Sequence, residues 1–96
     1  MNPNEMHLSF TQMDVENNTF HNLLTVSSDK ENVLRTFAIA KKQFQSKEKT
    51  DCIIDLLDSN HDIIDDCSVT YQQMSNLADL LGFKLVPPSV SEAKGI

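Results

Sequence analysis

From Ser28 to Phe44 apolar residues return every three or four positions, and on either side of that segment they return every two. A period near 3.6 puts side chains along one side of a helix, and a period of two puts them on one face of a strand. A chain that switches between these periods must lay amphipathic helices over a half-covered sheet. No apolar run approaches the ~18 residues of a membrane span, so no membrane partner is expected.

Met6, Leu8 and Phe10 alternate with His7, Ser9 and Thr11, which predicts a first strand, although Gln12 interrupts the alternation. Thr19 to Ser27 reads as a second strand, with Phe20, Leu24 and Val26 on one parity. Asn17-Asn18 between them suits a tight hairpin turn, because Asn tolerates the left-handed conformation. Ser28 and Glu31 have the spacing of a capping box, and Asp29 suits the positive end of a helix. Val33, Phe37, Ala40 and Phe44, with Leu34, then define the buried side of a helix over about 29–46. Arg35, Ile39 and Lys42 fall on the opposite side, which makes Ile39 an apolar residue on a solvated face.

Asp51 to Val69 predicts a second hairpin, turning at Asp58-Ser59-Asn60-His61-Asp62. Cys52, Ile54 and Leu56 form the more apolar face of its first strand, and Ile63, Cys67 and Val69 that of its second. These sets share a face only if paired residue numbers sum to an odd value. One such register sets Cys52 opposite Cys67, and another sets Ile54 opposite Cys67. Both leave Asp65 among apolar neighbours unless the strand bulges or ends there. Thr70 and Gln73 repeat the capping-box spacing. Tyr71, Met74, Leu77, Ala78 and Leu81 then share a helical side over about 71–81, and Gly82 stands where a left-handed cap is wanted. Phe83 to Val86 reads as a last short strand, stopped by Pro87-Pro88.

The predicted fold is therefore α+β, in the order β-β-α-β-β-α with a short last strand. Its antiparallel sheet carries both helices on one face. Without the first strand the order becomes βαββαβ, so a ferredoxin-like fold is the alternative. A chain of 96 residues, 40% of them hydrophobic, supplies one modest core and no second domain. Residues 1–86 are expected to form that domain, and 87–96 a frayed tail.

Asp58, Asn60, Asp62 and Asp66 match four positions of a calcium loop. Ile63 occupies its obligatory glycine, however, and Val69 its bidentate glutamate. The three histidines and two cysteines have no zinc-ligand spacing. With two glycines in the chain, no glycine-rich phosphate loop or G-x-S-x-G elbow is present. No metal, no cofactor and no catalytic residue is expected. Met1 to Phe10 has no Lys, no Arg and no apolar core, so no signal peptide is expected. Cys52 and Cys67 are accordingly expected to be free, buried thiols in a reducing cytoplasm.

What remains is charge. The net charge is −6. Lys30, Arg35, Lys41, Lys42, Lys47 and Lys49 form a basic stretch, and Asp51, Asp55, Asp58, Asp62, Asp65 and Asp66 an acidic one. The function expected is that of a small non-enzymatic protein-binding module: an inhibitor, adaptor or regulatory subunit. Its contact residues would be Asp55, Asp58, Asp62, Asp65, Asp66 and Asp79, with a second surface at Arg35, Ile39 and Lys42. The acidic set could act on a basic or nucleic-acid-binding protein as a nucleic-acid mimic. A homodimer is a further expected partner arrangement. The alternative is a nucleic-acid-binding module using Lys30, Arg35, Lys41, Lys42, Lys47 and Lys49, against which the net charge argues.

Overall fold

The computed structural model describes residues 4–14, 16–48 and 50–85. Lys49, Val86 and the tail 87–96 lie outside the described residues. Strand β1 (Glu5–Asp14) turns into β2 (Thr19–Asp29), and helix α1 (Lys30–Ile39) follows, continued by a π-helical turn at Ala40–Phe44. Strands β3 (Cys52–Leu57) and β4 (Ile63–Val69) form a second hairpin, and α2 (Tyr71–Leu80) closes the order. The four strands make one antiparallel sheet in the spatial order β2-β1-β3-β4. The α+β order β-β-α-β-β-α is the one the periodicity implies. It also excludes the ferredoxin-like alternative, because β1 lies inside the sheet between β2 and β3 and residues 83–85 form no strand.

The two hairpins meet at β1 and β3. Leu8 lies between Val26 and Leu56, and Phe10 between Leu24 and Ile54. Both helices cover this face. Val33, Phe37 and Ala40 come down from the first, and Met74, Leu77 and Ala78 from the second, all buried in one cluster with Leu8, Phe10, Ile54, Cys67 and Val69. In the second hairpin Ile54 stands opposite Cys67 and Cys52 opposite Val69, so the paired numbers sum to an odd value.

Local signals explain most element boundaries. Asn18 takes a positive φ of 53° in the first turn, and the Asp14 carboxylate accepts from the backbone N–H and side-chain amide of Asn17. The Thr70 hydroxyl accepts from the N–H of Gln73, whose side chain accepts from the N–H of Thr70, completing the capping box. At the other end of α2, Gly82 adopts φ +89°. Its N–H donates to the Asp79 carbonyl, and that of Phe83 to the Ala78 carbonyl, the two bonds of a Schellman cap.

Several expectations are corrected. Ser28 lies within β2 and caps nothing; Asp29 ends the strand and is the N-cap of α1, and its side chain accepts from Asn32 rather than from the helix backbone. The helix ends at Phe44, with its last turn widened. Leu34 is exposed rather than part of the core, and Ile39 is half-buried rather than solvated. A bulge in β2 skips Leu23 between the Phe10–Leu24 and Thr11–Asn22 pairs. The bulge leaves Leu23 buried and reverses the parity beyond it, so Phe20 is 66% exposed. A matching irregularity in β4 skips Ile64, which moves Ile63 off the core face to 61% exposure. Residues 83–85 form no strand.

Gly82 is the position where backbone chemistry decides most. A Cβ added there meets no atom within 4 Å, so the penalty of substitution is conformational and not steric. Gly82→Ala should cost about 1 kcal/mol in urea unfolding. Gly82→Asn should cost less, because Asn enters the left-handed region more readily.

Candidate functional site

With α1 and α2 on one side, the sheet has a second face that, among the described residues, no helix covers. The odd-numbered residues of β1 point to it: His7, Ser9 and Thr11. Their neighbours by register are Ser27, Thr25 and Asn22 on β2, and Leu57, Asp55 and Ile53 on β3. Asp66 and Ser68 extend two of these rows onto β4. The middle row across the four strands thus reads Thr25, Ser9, Asp55, Asp66.

The polar groups on β1 and β2 are held by one another. The Asn22 amide donates to the Ser9 hydroxyl (2.8 Å), and Ser9 and Thr11 hydroxyls lie 3.2 Å apart. Thr25 donates to the Asn22 carbonyl oxygen (3.2 Å), and His7 Nδ1 shares a 2.6 Å hydrogen bond with Ser27 Oγ. His7 is 6% exposed, not the surface or edge residue its strand position implies. Its cover is His61, from the tip of the second hairpin, whose ring stacks on it with centroids 4.2 Å apart. His61 holds that place with a positive φ of 69°, and its N–H donates to the Asp58 carbonyl.

Asp55 and Asp66 stand directly opposite each other. The Ser68 carbonyl accepts from Ser46 N–H, and Asp66 N–H donates to the Asp65 carboxylate, so the main-chain groups of these residues point away from β3. Asp55–Asp66 is therefore a non-hydrogen-bonded pair, the kind in which facing side chains come closest. Burial first, and the Asp66 carboxylate second, push the Asp55 carboxyl above its ordinary range.

The expected acidic set is divided among three places. Asp55 and Asp66 share the open face. Asp58 and Asp62 sit at the hairpin tip, where an Asp58 oxygen accepts from the N–H groups of Asn60 and Asp62. Asp65 lies on the helix side and is exposed, because the bulge and the strand end beside it release it from the core. There it meets Lys41 at 3.4 Å. Asp79 is exposed on α2. On the first helix Arg35 pairs with Glu31 at 3.1 Å, Lys42 is exposed on the π turn, and Ile39 is too covered to centre an apolar patch.

Charge is sorted between the layers of the fold. The strands contain Glu5, Asp14, Asp29, Asp55, Asp65 and Asp66, and not one Lys or Arg. Lys30, Arg35, Lys41, Lys42, Lys47 and Lys84 all lie on the helices or the segments that follow them. Sequence reasoning named the acids of the open face but missed its polar half: His7, Ser9, Thr11, Asn22, Thr25 and Ser27. The signal was present for five of them, which alternate with the predicted core; Asn22 has the parity of Leu24 and Val26 and reaches the open face only through the bulge at Leu23.

Cys52 and Cys67 are free and buried on the helix side. Burial and the neighbouring Asp51 carboxylate push the Cys52 thiol up to about 12, and burial likewise raises Cys67. Both are held as thiols, and neither is an activated nucleophile. Among the described residues no helix is long and apolar enough to cross a membrane. No protein-family model, curated protein or solved structure matches the chain.

The facing carboxylates make a stability prediction. A carboxyl whose folded pKa is raised costs nothing below its unfolded value, where both states are protonated. The cost appears as pH rises through the folded value. Asp66→Asn should therefore stabilise the fold at pH 7 by about 0.5 kcal/mol in urea unfolding. The gain should vanish near pH 3, where Asp55 is protonated with or without its neighbour.

Proposed function

We propose that this protein is a non-catalytic protein-binding module that docks the open face of its sheet on a basic protein surface. The observation that carries this reading is the sorting of charge: a four-stranded face that no helix covers among the described residues, with facing carboxylates and no strand cation. An incoming Lys or Arg placed against Asp55 and Asp66 would replace a repulsion with two attractions. Ser9, Thr11 and Thr25 offer hydroxyls beside it, and Ile53, Leu57 and Ile63 offer apolar surface. An acidic middle row flanked by apolar side chains suits a basic partner that also carries apolar surface. The acids do not form one continuous track, since Asp65 and Asp79 lie on the helix side, and this favours a protein partner's basic patch over mimicry of a phosphate backbone. Two unpaired thiols suit a reducing, cytoplasmic setting.

Nucleic-acid binding through the first helix is the weaker reading. Arg35 and Lys41 are each engaged by a carboxylate, and phosphate affinity depends on cations left to replace counterions.

Titration of the isotope-labelled protein with a lysine-rich peptide should shift amide signals of Ser9, Ile53, Asp55, Asp66 and Ser68. The shifts should weaken with salt and be lost in Asp55→Asn/Asp66→Asn. Shifts confined to α1 and α2, or none, would contradict the proposal. Labelled duplex DNA should bind no tighter than ~10 µM at about 0.15 M salt. Submicromolar binding would favour the basic helix instead.

A further inference from the structure

The sheet has two edges, and only one is protected. On β4 the outward Ser68 carbonyl is taken by Ser46 N–H, and the outward Asp66 N–H by the Asp65 carboxylate. Lys41 lies against Asp65, and the strand is interrupted at Ile64. A chain pairing with this edge would also meet Asp65 and Asp66. Bulges, charges and side chains that cap the backbone are the devices by which sheets resist edge-to-edge pairing.

Strand β2 has one of them, the bulge at Leu23, and it lies to one side of the stretch Leu24–Ser28. The strand is eleven residues long, and from Thr19 to Ser28 it contains no Lys, Arg, Asp, Glu or Pro. Met13 N–H donates to Asp51 beyond the end of β3, so odd residues of β1 address β3 and even ones address β2. Leu24 and Val26, facing Phe10 and Leu8, accordingly turn their main-chain groups inward. Thr25 and Ser27 turn theirs outward. Among the described residues, no backbone hydrogen bond joins Thr19–Ser28 to anything but β1.

We propose that two copies of the chain pair antiparallel along β2, joining their sheets, four strands from each copy, into one. Two features favour a second copy as the occupant. The first is charge: with a net −6 on each molecule, two copies repel over most approaches, and the middle of β2 is a stretch where no charged side chain meets another. The second is self-complementarity. Pairing centred on Thr25 sets Leu24 of each copy opposite Val26 of the other and Thr25 opposite itself. Leu24 and Val26 are half-buried at the rim of the helix-covered core, so their pairing continues that core across the boundary. This arrangement is two-fold and closes on itself, and it leaves both open faces free on the same side.

Sedimentation velocity at about 100 µM should give twice the 10.8 kDa chain mass, falling towards one chain on dilution. Thr25→Pro removes an outward N–H without breaking a bond to β1. Thr25→Lys instead places a charge at the axis. Each should weaken association about tenfold or more while the circular dichroism spectrum stays that of the parent. If Thr25→Pro does not fold, the lysine variant decides. A single-chain mass at every concentration overturns the proposal. So does a dimer that survives in the folded variants, or one that is instead dissociated by Ile39→Asp.

Discussion

Everything in this fold hangs from the even-numbered side of β1. Met6, Leu8 and Phe10 are buried there, with β2 on one flank and β3 on the other. β1 joins the two hairpins, which otherwise share only the helix layer. Truncating Phe10 to alanine would remove ~3–5 kcal/mol, a large part of the 5–15 kcal/mol that typically separates folded from unfolded chains. Leu8 and Phe10 also fix the side on which the helices pack. Val33 and Phe37 descend on one half of that surface, and Met74 and Leu77 on the other.

A core on one side leaves the other side of the sheet to polar chemistry. A strand of period two delivers a polar residue to the open face for each apolar one it buries. In β1 and β2 those residues hold each other through Asn22, Ser9, Thr25 and the His7–Ser27 bond. In β3 and β4 they are Asp55, Asp66 and Ser68, beside Ile53, Leu57 and Ile63, and among the described residues the two facing carboxylates have no side-chain partner across the strands but each other. Among the described residues Lys and Arg lie in the helix layer, and none of them answers that repulsion. A cation from outside would answer it.

The periods of the sequence made the architecture legible. Met6, Leu8 and Phe10 on one parity, and Thr70 with Gln73, led directly to β1 and to the start of α2. The departures come from single residues that periodicity cannot register. One skipped residue at Leu23 and one at Ile64 reverse parity, so Phe20 and Ile63 leave the core face their numbering gives them. Ser28 has the spacing of a cap, but β2 runs through it and α1 begins a residue later. The candidate site was legible in part. Asp55 and Asp66 were named because they are charged. Their isolation from Asp65 and Asp79 depends on which side of the sheet each occupies. His7 was hidden because its cover, His61, comes from a turn 54 positions further along the chain, the difference of the two residue numbers.

The central claim is that the two layers of this molecule carry opposite charge. Paramagnetic broadening by a pair of soluble nitroxides, one cationic and one anionic, measures this residue by residue, because each probe gathers where the potential attracts it. The cationic probe should broaden the amides of Ser9, Ile53, Asp55 and Asp66 more than the anionic one does, and the order should reverse at Lys41 and Lys42. Equal broadening by both probes on the two layers, or an excess of the anionic probe at Asp55 and Asp66, would contradict the account.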